Sequence, residues 1–313
     1  MRDMLLYRRR AATARRPVPV AARARRSRPI VTVIAALALL AGCTTGEPAA
    51  PSASTTATTP GAPTPSATST PTSTSTGATV DVPVYYVIDT RTGFRLAREI
   101  RTLSAADAVR AAVEAMIAGP VDPDYATTWN PATTVLGVQQ TAGTLLVDLS
   151  SDARTANVGS AGAALMIQQL VYTVTAAAEQ LTAPVMLTIA GSPAGELWGA
   201  VVWDAPVVRA DPIDVLLLVQ IDRPTEGATS TSPVTVSGDA AVFEATVVWK
   251  VLDPTGATVR SGFTMTSEGQ TFAPYSFTVA LDPGTYTVVV TEDDPSGGEG
   301  GTPMSDSRTL TVT

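Results

Sequence analysis

Residues 44–79 contain, apart from Glu47, only serine, threonine, proline, alanine and glycine. A segment with almost no large apolar side chain cannot offset the entropy that it would lose on ordering its backbone. We therefore predict a disordered linker here, which as a coil would span about 30–35 Å, either as an unmodified spacer or as a glycosylated stalk. The part of the chain that can bury a core is limited to about residues 80–313, which is enough for one large domain or two small ones.

Charge is distributed unevenly on the two sides of this linker. Ten of the 21 basic residues are arginines within the first 28 positions, whereas 27 of the 28 acidic residues follow Cys43, against 11 basic ones. An acidic body does not offer the clustered lysine and arginine that nucleic-acid phosphates require, and it would not dock electrostatically on anionic lipid. We therefore expect no nucleic-acid partner.

The basic leader ends in an apolar run that closes on the chain's single cysteine. Residues 30–42 are uncharged and mostly apolar, but 13 residues are too few to cross a bilayer, which takes about 20. A basic segment, a short apolar run and small residues are typical of a secretory signal. The stretch Leu40-Ala41-Gly42-Cys43 resembles the lipobox of bacterial lipoproteins. That resemblance implies cleavage between Gly42 and Cys43, and a lipid on the Cys43 thiol that anchors the protein to the outer face of the cell membrane. The competing interpretation is a small buried cysteine in an ordinary core helix.

Composition also removes most catalytic chemistries. The chain has no histidine, and therefore lacks the usual base for a serine or cysteine nucleophile and the commonest metal ligand. One cysteine cannot form an intrachain disulfide or a cysteine-based zinc site. Carboxylate chemistry remains, and Asp148, Asp152 and Asp204 are the candidates for a paired-carboxylate glycan hydrolase, although no spacing marks a pair. For Asp148 we favour a structural role, closing a turn at a strand end.

The first folded region alternates strands with two helices. Residues 82–88 and 94–103 read as strands, and Ser104 with Asp107 forms a capping-box-like start for a helix that Gly119 and Pro120 end. Further segments follow as strands at 135–140, 145–149 and 185–189 and as a helix at 162–179. The order ββαββαβ predicts an α+β domain in which the helices cover one face of a small sheet.

The second region shows strand patterns alone. Apolar residues alternate along 243–251, 275–281 and 286–290, and shorter strands at 215–219, 234–236, 259–266 and 308–312 bring the count to about seven. This count predicts an all-β immunoglobulin-like sandwich without a disulfide. We expect Trp249 to fill its core. The acidic stretch from Glu292 to Asp294, with Glu299 beyond, lacks the alternating ligand spacing of a calcium loop and is predicted to be a solvated turn.

Both regions resemble known domains. Ala118-Gly119-Pro120, the stretch from Val147 to Ser150 and the helix from Gly159 to Val174 resemble the GerMN domain of sporulation and germination proteins, over roughly residues 82–205. The stretch from Ala241 to Ala245, with Val248-Trp249, resembles the immunoglobulin-like module of bacterial spore-germination proteins, over about 213–313. Residues 122–131 depart from the GerMN pattern. The alanine- and arginine-rich composition with a single lysine, Lys250, is typical of a GC-rich genome such as an actinobacterial one, so a general envelope role is as plausible as a sporulation role.

Four segments and one principal function follow from these patterns. We predict a signal peptide over 1–42, a lipidated cysteine and linker over 43–79, a GerMN-like domain over 80–209 and an immunoglobulin-like sandwich over 210–313. We expect a non-enzymatic, lipid-anchored envelope protein without cofactor, metal or catalytic residue, which binds peptidoglycan or another envelope protein. A carboxylate-dependent wall hydrolase is the first alternative. A solute-binding lipoprotein is a weaker one, because it would need two larger lobes.

Overall fold

The computed structural model describes residues 77–294, 299 and 301–313, which belong to one compact unit. The leader, the lipobox residues Leu40, Ala41, Gly42 and Cys43, and almost all of the linker lie outside the described residues. Within the described part, no helix is long and apolar enough to cross a membrane.

The first domain begins with a long antiparallel hairpin. Strands β1 (Thr79–Thr90) and β2 (Gly93–Ser104) pair along their whole length, from Thr79 opposite Ser104 to Thr90 opposite Gly93. A 3-10 turn at Ala105–Asp107 leads into α1 (Ala108–Ala118). The hairpin was predicted, and the structure extends it by several residues at each end.

The two ends of α1 differ in how well sequence predicted them. Gly119 ends the helix as expected, with a φ of +103° that favours glycine, and its N–H donates to the Ala115 carbonyl oxygen at 3.1 Å. The capping box at the start was wrong, because neither Ser104 nor Asp107 makes a side-chain cap hydrogen bond. The Asp107 carboxylate instead pairs with Arg110, one turn further on, at 3.0 Å.

A second, four-stranded sheet completes the fold of the first domain. Its strands are β3 (Val135–Thr141), β4 (Thr144–Leu149), β5 (Val185–Ile189) and β6 (Ser192–Pro193), in the order β3-β4-β5-β6. Helix α2 (Ser160–Ala177) connects β4 to its parallel neighbour β5. A short hairpin of β7 (Gly195–Leu197) and β8 (Val201–Trp203) follows.

One detail of the predicted topology was wrong, because the β1–β2 hairpin does not join the sheet. Four consecutive residues of β1, Val84 to Val87, are buried. Since neighbouring strand residues point to opposite faces, such a run requires cover on both sides. Val84 and Tyr86 face the main core, and Tyr85 and Val87 face a smaller cluster with Tyr172 of α2. Both helices contact β1, while α1 also contacts β3 and α2 contacts β5.

The second domain is a β-sandwich, as predicted. A short helix α3 (Pro212–Val215) precedes eight strands in two sheets, ordered β10-β16-β15-β12-β13 and β14-β11-β9. The strands are β9 (Val219–Arg223), β10 (Ala228–Ser230), β11 (Val234–Ala240), β12 (Thr246–Leu252), β13 (Thr258–Met265), β14 (Ala273–Val279), β15 (Gly284–Glu292) and β16 (Ser305–Val312). Valines and leucines of both sheets meet in its core.

Three predictions for this domain need correction. The strand expected over 215–219 is the end of α3, and β9 begins at Val219. Phe243 is not on the inward face of a strand: it lies in a 3-10 turn and is 54% exposed, because positive φ values at Glu244 and Ala245 break the alternation before β12. Trp249 packs against the margin of the core, stacked on Phe277 at 4.6 Å between ring centroids.

Candidate functional site

The most densely charged buried region is the seam between the two domains, and Arg308 of β16 is at its centre. Its guanidinium is 2% exposed and donates to Asp122 Oδ2 at 2.5 Å and to Asp306 Oδ1 at 2.8 Å. It also donates to the Tyr125 hydroxyl at 2.8 Å and to the Ile221 carbonyl oxygen at 3.0 Å. Asp122 and Tyr125 belong to the first domain, so one buried cation bonds to both domains.

Asp306 completes this cluster from the second domain. Its carboxylate accepts hydrogen bonds from the Tyr125 hydroxyl and from the Ile221 N–H, each at 2.6 Å. The Arg308 guanidinium also lies 5.0 Å from the centre of the Tyr125 ring. Taking charges out of water costs several kcal/mol per ion, and this cost is offset only where geometry and additional hydrogen bonds are as complete as they are here. The cluster therefore holds the two domains in one specific arrangement.

A second cluster lies beside the first, around Arg98 of β2. Its guanidinium donates to both carboxylate oxygens of Asp222, each at 2.7 Å, and to Asp239 at 2.6 Å. The Arg98 backbone N–H donates to Gln220 Oε1 at 3.1 Å. A bidentate arginine–carboxylate pair fixes orientation as well as distance. Strands β9 and β11 are thereby attached to β2.

Weaker contacts extend the seam along the whole hairpin. Arg91, in the turn between β1 and β2, pairs with Glu292, while Asp81 near the other end of the hairpin pairs with Arg223. Ion pairs as exposed as that between Arg223 and Asp81 contribute about 0–1 kcal/mol. Glu292 therefore takes part in the interdomain contact, whereas its sequence indicated a solvated turn.

A cavity of about 240 Å³ opens at the seam, but its charged side chains already have partners. Glu99 accepts hydrogen bonds from the Val121 and Asp122 N–H groups, each at 2.8 Å, and from Arg101 at 3.1 Å. Among the described residues, no group of three or more potential metal ligands is found. The seam is organised to join the domains rather than to present reactive groups.

Burial changes the acidity of the seam carboxyl groups. It raises the pKa of Asp122 to about 6, although the Arg308 guanidinium opposes the shift and Asp306 and Glu226 reinforce it. Burial also raises the pKa of Asp306, again against Arg308. The folded protein therefore binds a proton at Asp122 more readily than the unfolded chain does between about pH 4 and pH 6.

This shift predicts a pH-dependent stability that Asp122→Asn should reduce. Because the folded-state pKa of Asp122 is raised, its contribution to the free energy of unfolding is fully present below about pH 4 and is lost as the pH rises through 6. One differentially bound proton corresponds to a slope of at most about 1.4 kcal/mol per pH unit. Urea unfolding of both proteins at several pH values between 4.5 and 7 measures the slope. An unchanged slope in the variant would contradict this assignment.

The candidate catalytic carboxylates from the sequence are not brought together in a reactive arrangement. Asp148 closes a turn, as predicted: its Oδ1 accepts from the Thr188 hydroxyl at 2.8 Å and from the Gly191 N–H at 2.9 Å. Asp152 accepts a hydrogen bond from the Ser150 hydroxyl at 3.1 Å, and Asp204 is exposed just after β8. These contacts give Asp148 and Asp152 structural roles.

The sequence interpretation missed the seam, although two signals pointed to it. Asp306 and Arg308 alternate with Leu310 and Val312 on the inward face of β16, so two charges occupy core-facing positions. The segment 122–131, which departs from the GerMN pattern, supplies the partners. Charged residues on the buried face of a strand require partners, and an irregular segment from another domain is where such partners can lie.

A large apolar groove lies on the opposite side of the hairpin, against α2. It has a volume of about 800 Å³, and an adjoining cavity of about 500 Å³ shares four of its lining residues. We call it the outer groove and define it by Phe94, Ala161, Ala164, Leu165, Val202 and Val207.

The fold and the seam define a two-domain protein in which an α+β domain is fixed to an immunoglobulin-like sandwich. Residues 83–195 match the family of sporulation and spore germination domains known as Germane. Residues 218–299 match the family described as the immunoglobulin-like domain of bacterial spore germination, Gmad2. The first domain therefore belongs to the sporulation and spore germination family and the second to the Gmad2 family, which confirms both resemblances seen in the sequence.

Three solved structures are similar to this chain. The first GerMN domain of the sporulation protein GerM from Bacillus subtilis is 20% identical, with 42% of this chain and 97% of that chain covered and a TM-score of 0.32. The tandem GerMN domains of the same protein are 17% identical, with coverages of 65% and 62% and a TM-score of 0.34. A candidate lipoprotein from Clostridium perfringens is 14% identical, with coverages of 42% and 87% and a TM-score of 0.30. No curated protein matches the chain.

Proposed function

We propose that this protein is a lipid-anchored, extracytoplasmic binding protein of the cell envelope, with the two domains acting as one rigid scaffold. The observation that carries the proposal is the presence of two domains of the sporulation and germination type, joined by the buried Arg308 and Arg98 clusters. The lipobox at Leu40 to Cys43 supplies the anchor, and the Thr- and Pro-rich linker separates it from the domains. Peptidoglycan or another envelope protein is the proposed partner.

A wall-hydrolase function has no comparable support. It needs two carboxyl groups about 5 to 10 Å apart across a cleft. Asp148 is held by Thr188 and Gly191, and the most strongly perturbed carboxyl groups, Asp122 and Asp306, are hydrogen bonded within the seam. A binding role uses the same residues without requiring any of them to react.

The anchor is tested by Cys43→Ala. We expect the unmodified protein to enter the detergent phase in Triton X-114 partitioning and the variant to be released or mislocalised, because two or more acyl chains give stable membrane attachment and the 13-residue apolar run alone does not. Thr44→Ala is the matched control, since it changes the neighbouring residue and leaves the lipobox intact. A Cys43→Ala protein that still partitions as membrane-bound would disprove the lipoprotein assignment.

The binding role is tested separately with the anchored protein. We expect it to co-sediment with insoluble peptidoglycan or to be retained by one specific membrane partner from its own envelope. The Cys43→Ala protein should keep this affinity in solution, because the anchor lies outside both domains. Failure against both kinds of partner would refute the binding proposal, whatever the outcome of the partitioning experiment.

A further inference from the structure

Helix α2 has an unusual composition for a helix with a solvent-facing side. None of its 18 residues is charged, although surface helices normally carry charged and polar residues on the outer face. In its first half the exposed residues include Ala161 and Ala164, with Gln168 half-buried at the far end. A face of this kind is typical of a helix that another element covers.

The elements on either side of α2 continue this apolar surface. Phe94, just after the tip of the β1–β2 hairpin, is 64% exposed, and Val202 of β8 is 63% exposed. Both line the outer groove together with Leu165 of α2. Large apolar side chains that are exposed around a common cavity mark interaction sites rather than ordinary surface.

The size of the outer groove suits a short helix. Its floor follows α2 from Ala161 to Gln168, which at 1.5 Å per residue is about 11 Å, or two helical turns. Alanine and glycine on this floor allow another helix to approach at the short end of the usual 8–10 Å interaxial distance. Phe94 and Val202 would then contact its apolar residues from the two sides.

The charges at the groove favour a basic occupant. Asp204, Asp211 and Asp214 are exposed along its edge, with Asp214 itself lining it. The two nearby arginines direct their hydrogen bonds inward. Arg209 donates to Thr175 Oγ1 at 2.7 Å and lies over the Tyr172 ring, and Arg95 interacts with Asp214 but donates to the Ile213 and Leu216 carbonyl oxygens.

We infer that the outer groove binds a short amphipathic helix of a partner protein, with its apolar face against α2 and with lysine or arginine at its flanks. The inference rests on the proposed binding function and names the surface and the chemistry of the partner. An acidic rim attracts such a segment and raises its association rate, while burial of its apolar face supplies the affinity.

The experiment is site-specific photo-crosslinking of the full chain in its own cells. A benzophenone amino acid is placed at Ala164 or Val202 in the outer groove, and at Phe263, an exposed residue of β13, as a control. We expect the two groove positions, and not the control position, to capture the same protein, with the cross-linked peptide an apolar segment flanked by lysine or arginine. Ala164→Arg, which places a charged side chain on the exposed floor, should abolish the cross-link from Val202, whereas Phe263→Ser should preserve it.

Charge is tested with the captured segment as a synthetic peptide. Asp204→Asn combined with Asp214→Asn should weaken its binding to the full chain about three- to tenfold at low salt, and this difference should largely disappear at 0.5 M salt. Glu268→Gln, at an exposed acidic residue of the second domain, should have no effect. Absence of a cross-link from the groove, capture of a second copy of this chain, capture of an acidic or polar segment, or equal affinity of the double variant would each overturn the inference. A protein that fails to partition with detergent but still gives the groove cross-link would refute the anchor and leave this inference standing.

Discussion

Arg308→Met should reduce the free energy of unfolding by about 3–5 kcal/mol, which is the largest effect that we expect from a single substitution in the seam. The change preserves much of the side-chain volume but leaves Asp122 and Asp306 buried without their shared cation. It also removes the hydrogen bonds from Arg308 to Tyr125 and Ile221. Urea unfolding monitored by tryptophan fluorescence measures the loss.

Arg223→Met is the matched control for this prediction, because it removes an arginine whose ion pair with Asp81 is largely exposed. Its cost should stay below about 1 kcal/mol. If Arg308→Met costs no more than Arg223→Met, the buried cluster does not stabilise the interdomain arrangement, and the rigid-scaffold proposal loses its main support.

Arg98→Met should have the second largest effect, about 2–4 kcal/mol, and should also separate the unfolding of the two domains. The substitution leaves Asp222 and Asp239 without their bidentate partner and frees β9 and β11 from β2. Trp249 reports on the second domain, whereas the other three tryptophans belong to the first, so single-tryptophan versions of the protein distinguish the two transitions. We expect coincident transitions in the unmodified protein and an earlier transition for one domain in the variant.

The corresponding control is Arg110→Met, which removes ion pairs within the first domain at α1 and leaves the seam intact. It should lower the stability of the first domain slightly and keep the two transitions together. Separate transitions already present in the unmodified protein would show that the seam does not couple the domains.

A rigid seam has a direct consequence for function. A linker attached at the start of β1 moves both domains together, since the second domain contacts the hairpin from Asp81 near its base to Arg91 at its tip. The outer groove lies on the first domain, on the side of the hairpin that the seam does not use. A partner could therefore occupy the groove without separating the domains.

Much of the fold could be predicted because it depends on local patterns. Alternation along β14 and β15 and the apolar stripe of α1 state which face is buried, and Gly119 with Pro120 states where a helix must end. The errors arose where a local rule had a tertiary competitor. Asp107 pairs with Arg110 instead of capping, and Phe243 leaves the strand because positive φ values at the next two residues turn the chain.

By itself the sequence determined the probable address of the protein and the class of each domain, because a lipobox and a hydrophobic period are both contained in short stretches of chain. It also indicated what chemistry is missing, since a chain without histidine needs no structure to exclude histidine-dependent catalysis. Tertiary structure alone decided how the domains are joined. Arg308 and Asp122 are 186 positions apart, and no local pattern specifies that two charges so distant will share one buried site. The same holds for the outer groove, which exists because the hairpin, α2 and β8 meet in space around a helix without charge.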